Sequence, residues 1–120
     1  IIATGLMVDE ALKAAAMLEE KGVSARVVNI CCIKPLDEEL VLKAARECGK
    51  VVTCEEHSVI GGLGEAVCAC LCENGVGAKV RRVGVQDEFG HSGPAREVLR
   101  QFGLCAENIA DVTMSLYNEA

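Results

Sequence analysis

Residues 50–72, KVVTCEEHSVIGGLGEAVCACLC, decide the fold. Val51, Val52, Thr53 and Cys54 form a short apolar run that reads as a buried strand, and Glu55 and Glu56 mark its acidic end. His57 and Ser58 make a polar turn, Gly61, Gly62 and Gly64 a glycine-rich bend, and a helix follows from Leu63 or Gly64 onward. In an open parallel sheet, ligands and partners meet the protein just past the carboxyl ends of the strands. The rest of the chain reads as scaffold for this strand, turn and helix.

Toward the amino terminus, Ile1–Thr4 reads as a strand and Gly5-Leu6 as a tight turn. A helix from about Met7 to Lys21 follows, with Val8, Ala11, Leu12, Ala15 and Leu18 at helical spacing. Asp9 and Glu10 fall near its start, where acids suit the helix dipole, and Lys21-Gly22 ends it. Ser24–Cys32 is nearly continuous in apolar residues at its centre, the pattern of a strand buried on both faces. Pro35 pushes Lys34 toward extended geometry, and Asp37 is placed to cap a helix. That helix, Glu38 to Cys48, packs through Leu40, Val41, Ala44, Ala45 and Cys48 until Gly49 stops it.

Toward the carboxyl terminus, the helix after the glycines carries Leu63, Ala66, Val67, Cys70 and Leu71 inward and ends near Asn74-Gly75. Ala78–Val85 is a fourth strand whose partly polar alternation suits a sheet edge. Gln86–Gly93 is a polar loop. Pro94 opens a helix with Ala95, Val98, Leu99 and Phe102 as its core stripe, Gly103 ends it, and a last helix runs from about Glu107 to Tyr117. The order βαβαβαβαα implies right-handed crossovers and a parallel sheet with helices on both faces.

At 120 residues the chain makes one domain, and 51% of it is hydrophobic. Its aromatic residues are Phe89, Phe102 and Tyr117, so the core is aliphatic and stacking platforms for single-stranded nucleic acid are missing. A net charge of −6 argues against a phosphate-backbone surface, so no nucleic acid is expected as partner. No run of about 18 apolar residues occurs, so no membrane span is expected. Ile1-Ile2 places two β-branched residues where termini are normally solvated. We therefore expect the sequence to start in or beside a strand, as a fragment of a longer protein. The eight cysteines show no CxxC, and neither histidine stands at a ligand spacing from a cysteine pair. They read as small buried hydrophobes of a reducing cytoplasm, with Cys31, Cys32 and Cys54 in strands.

The turn GGLGEA differs from the dinucleotide fingerprint G-x-G-x-x-G, and the acid expected about 20 residues later is missing. Its glycines read as a sharp bend that brings a helix start close to a neighbour. Glu55 and His57 could serve acid–base chemistry at the strand end; the structural reading is that Glu55 caps backbone N–H groups while Glu56 and His57 are solvated. Asp87, Glu88 and His91 form a second polar strand-end loop, read as ordered by Asp side-chain hydrogen bonds. Arg81 and Arg82 read as cover for the sheet edge rather than phosphate ligands. No catalytic, cofactor-binding or metal-ligating residue is assigned.

Taken together and in order, IIATGLMV, VVNICCIKPLD, CEEHSVIGGLGEAV, VGVQDEFGHSG and VLRQFGLCAENI resemble the C-terminal domain of the transketolase family. The last two segments look most like the C-terminal subunit of split transketolases. Deoxyxylulose-phosphate synthases and the β subunits of 2-oxoacid dehydrogenases share the pattern more loosely. The threonine that commonly caps the family's last helix is here Cys105, so a weaker cap is expected.

The resemblance implies a three-layer α/β/α sandwich with a mostly parallel sheet, four of whose strands fall in this sequence, and an antiparallel strand upstream. It puts Ile1–Thr4 at the centre, between the second and third strands, with the switch point between Gly5-Leu6-Met7 and Glu55-Glu56-His57. It further implies thiamine diphosphate and Mg in the full enzyme, held between pyrimidine-binding and pyrophosphate-binding domains, and a homodimer. This domain would then support assembly and be inert alone. Gly5, Glu55, His57, Gly61, Gly62, Gly64, Asp87 and His91 are its expected interdomain or switch-point contacts. Two rival roles are an interaction module docking an acyltransferase core and a stand-alone small-ligand domain using the crevice.

Overall fold

The computed structural model describes residues 1–58, 62–85 and 103–119. Within them the chain order is β1 (Ile2–Ala3), α1 (Met7–Glu20), β2 (Val28–Asn29), α2 (Glu38–Cys48), β3 (Lys50–Ser58), α3 (Leu63–Glu73), β4 (Lys79–Val85) and α4 (Ala106–Tyr117). The sheet order is β2-β1-β3-β4, and every pairing is parallel. β1 lies between its neighbours in the register Ile2↔Val28 and Ile2↔Thr53. Its two residues are apolar and buried on opposite faces, as a strand covered on both sides requires. β4 forms the edge, with Lys79, Arg81 and Arg82 exposed.

Side-chain alternation splits the core into two clusters. Ala3, Val52, Cys54 and Val83 face α1 and α4, packing against Met7, Ala11, Leu18 and Ile109 among others. Ile2, Val28 and Val51 face α2 and α3, packing against Val41, Leu63, Val67 and Leu71. The result is the expected α/β/α sandwich with β1 at its centre.

Local chemistry sets the element ends. Asp37 caps α2, its Oδ1 accepting from the Leu40 N–H at 3.2 Å. Gly49 follows in the left-handed conformation at φ 75°, ending α2 and turning the chain directly into β3. The peptide between Lys34 and Pro35 is cis.

Several details differ from expectation. The run 24–32 contributes only Val28 and Asn29 to the ladder, and Cys31 and Cys32 lie beyond it, exposed. Cys48 and Cys72 are exposed as well, so burial accounts for Cys54 and Cys70 and not for those four. In α1 the buried stripe is Met7, Ala11, Ala14 and Leu18; Leu12 is 53% exposed. Apolar side chains cover so broad an arc of this helix that more than one phase satisfies the spacing, and contact with the sheet selects one. Leu40 of α2 also faces partly outward. The expected loop 86–93 and most of the helix expected after Pro94 lie outside the described residues.

Candidate functional site: the switch-point crevice

The crevice forms where β1 and β3 part, because β1 continues into α1 on one face and β3 into α3 on the other. Gly5 makes the first turn at φ 60°, and a Cβ there would lie 2.5 Å from Glu56 Oε1. The same Oε1 accepts from the Leu6 N–H at 3.4 Å, so Glu56 reaches from β3 across the crevice to the start of α1. β3 pairs with β4 at Cys54↔Val83 and again at Ser58↔Val85. Glu55, Glu56 and His57 thus stand opposite Gly84 alone, an irregularity that re-aims the strand-end residues.

Glu55 is fully buried. Its Oε1 accepts from the Leu63 N–H and its Oε2 from the Gly64 N–H, both at 2.8 Å. Gly62, the N-cap residue of α3, has no side chain to offer, so a carboxylate from the preceding strand caps the helix and meets its positive dipole end. The capping reading of Glu55 is therefore what the structure holds. Gly64 is needed for a close approach: a Cβ there would lie 2.7 Å from Arg82 Cδ and 3.0 Å from Thr53 Oγ1. Thr53 and Arg82 are directly paired across β3 and β4, so the helix start rests on that pair. Thr53 Oγ1 is buried without a hydrogen-bond partner among the described residues.

Of the residues expected here, the structure gathers Gly5, Glu55, Gly62 and Gly64 at the carboxyl edge; His57 lies within β3. Gly61, Asp87 and His91 lie outside the described residues. Glu56, expected to be solvated, is half-buried, and its exposed 3.4 Å bond to the Leu6 N–H also spans the crevice. Arg82 and Thr53 emerge only from the tertiary packing, since strand pairing carries no local sequence mark. Burial pushes the Cys54 thiol up to about 12, so it stays protonated in the core.

Among the described residues the crevice does not fit a bound pyrophosphate. The Leu6, Leu63 and Gly64 N–H groups at the two helix starts already face carboxylates, which repel an anion. Among the described residues no group of three or more His, Cys, Asp or Glu side chains could hold a metal ion, and no helix is long and apolar enough to cross a membrane. A cavity of about 350 Å³ opens instead at the amino end of the sheet, between Ile1, Val28, Val51, Lys50, Leu116 and Tyr117. Lys50 Nζ there donates to Tyr117 O and Glu119 O, each at 2.8 Å.

Comparison with known proteins agrees with this architecture. The family model described as "Transketolase, C-terminal domain" matches residues 1–109. A putative transketolase C-terminal section from Methanocaldococcus jannaschii is 49% identical over 110 residues, covering 92% of this chain and 34% of that protein. A 1-deoxy-D-xylulose-5-phosphate synthase from Heliobacterium modesticaldum is 45% identical over 116 residues, 97% of this chain and 18% of that protein. A solved structure described as a split gene transketolase, inactive beta4 tetramer, superposes with a TM-score of 0.90 at 46% identity, covering 96% of this chain and 37% of that one. The chain thus spans about a third or less of the relatives it matches. A central β1, a glutamate-capped α3 and these likenesses place the chain in the family of transketolase C-terminal domains.

Proposed function

We propose that this chain is the assembly-supporting domain of a thiamine-diphosphate-dependent transketolase of the cytoplasm, inert alone. The whole enzyme would transfer ketol units between phosphorylated sugars. The observation that carries the reading is the filling of both crevice helix starts by the chain's own carboxylates. Glu55 and Glu56 fix the shape of the carboxyl edge and, among the described residues, leave no anion site there. A rigid edge of this kind suits contact with another domain. Thiamine diphosphate and Mg would sit between pyrimidine-binding and pyrophosphate-binding domains, supplying the electron sink. No step of the reaction is assigned to residues of this chain. Gly5, His57 and the segment with Asp87 and His91 are the contacts we assign to neighbouring domains or to the second copy of a homodimer.

The test is calorimetric titration of thiamine diphosphate with Mg²⁺ into this chain alone and into the complete enzyme. Heat of binding is expected only for the complete enzyme. Tight binding by this chain alone would overturn the reading. The 45% identity to a deoxyxylulose-phosphate synthase supports a second reading with the same domain role. The product of the assembled enzyme, an exchanged sugar phosphate or 1-deoxy-D-xylulose 5-phosphate, separates the two.

A further inference from the structure

Cys31 and Cys32 are adjacent in sequence, and both are exposed. Neither serves the core. The Ile30 N–H donates to Ala3 O at 2.9 Å, closing the β1–β2 ladder, and the chain bends at Cys31 just after it. Among the described residues both sulfurs hydrogen-bond within this surface segment: Cys31 Sγ donates to Asn29 Oδ1 at 3.9 Å, and Cys32 Sγ to Lys34 O at 3.0 Å. The first contact is long, the second involves a turn carbonyl, and both can be given up without opening the core. The remaining thiols differ in kind. Cys54 and Cys70 are buried, Cys105 is half-buried, Cys48 is exposed but has no adjacent cysteine, and Cys68 and Cys72 stand one helical turn apart on α3 with only Cys72 exposed.

We propose that Cys31 and Cys32 form a dithiol site for a thiophilic, trivalent arsenical. Soft thiol ligands select soft centres. Once one sulfur is attached, its neighbour acts at high effective concentration, so the second attachment is favoured over exchange with free monothiols. The step is a substitution: two S–H bonds and two As–O bonds break, two As–S bonds form, and two molecules of water leave. Arsenic stays trivalent and no oxidant is needed. Asn29, two residues before the pair, is in register with Ala3, and Ala3 precedes the crevice turn by two residues. Ligation would therefore bear on the strand pair bordering the crevice. The inference is independent of the transketolase reading, because it concerns exposed thiols and no cofactor.

The test treats the protein with phenylarsine oxide, challenges the product with excess 2-mercaptoethanol, and maps the retained adduct by peptide mass. The adduct is expected on the peptide carrying Cys31 and Cys32, to resist the monothiol, and to be released by a competing dithiol. C31S and C32S should each weaken retention about a hundred-fold, the scale of a lost second attachment. C72S should leave it unchanged. Because the substituted side chains are exposed, folding is not at stake. Failure of the protein to retain the reagent, retention that survives C31S and C32S, or loss in C72S each overturns the proposal.

Discussion

Helices α3 and α4 both begin without a capping side chain of their own, and the two starts are completed differently. Gly62 precedes α3 and Cys105 precedes α4, and neither makes a side-chain cap bond. α3 takes both carboxylate oxygens of Glu55 at 2.8 Å, fully buried. α4 takes one oxygen of Glu10, from α1, on the Ala106 N–H at 3.2 Å. The Glu10 side chain is 20% exposed, and Lys13 stands 4.0 Å away. The cap at the crevice is rigid and sealed. The cap at the far helix is single, longer and partly wet. The difference places the more firmly held helix start at the carboxyl edge and the looser one at the last helix.

The largest effect expected follows from deleting the sealed cap. Glu55→Ala leaves the Leu63 and Gly64 N–H groups buried without acceptors, and should cost about 3 kcal/mol in urea unfolding. A loss near that of an exposed glutamate would show that the α3 cap is no firmer than the α4 cap. Gly64→Ala comes next, at about 1–2 kcal/mol, because its methyl meets Arg82 and Thr53. Combining it with Arg82→Ala should recover part of the cost; an undiminished cost would mean that close approach is not the cause. The smallest effect is a gain. Cys105→Thr gives α4 its own cap and should add about 1 kcal/mol. Glu10→Ala, which removes the acceptor of the Ala106 N–H, should cost about the same in the threonine background as in the natural chain, because an N-cap hydroxyl serves the second or third N–H of a helix and not the first. A smaller cost in the threonine background would show that the two caps compete for one donor.

Much of this was legible in the sequence. The apolar run before Glu55, the glycines after it and the helix beyond already imply a crossover and a glutamate that caps nearby backbone N–H groups; its full burial and its two partners at the α3 start come from the packing. The edge position of β4 follows from Lys79, Arg81 and Arg82. What could not be read locally is what distant segments decide. Glu10 and Ala106 are 96 positions apart, and no spacing rule couples them. The phase of α1 is not fixed by spacing, because Val8, Leu12 and Ala15 fit a helical stripe as well as Met7 and Ala14 do. β2 is shorter than its apolar run, because such a run reports burial, while ladder membership depends on how many residues β1 offers. The exposure of Cys31 and Cys32 follows from that short pairing.

The central place of β1 also bears on how the domain assembles in time. Ile2 is flanked by Val28 on one side and Thr53 on the other, so β1 stays half-unpaired until two crossovers are complete. Lys50, which opens β3, in turn waits for the backbone of Tyr117 and Glu119 at the far end of the chain. Closing such distant pairs demands loop entropy before any contact repays it, the condition under which parallel sheets form slowly.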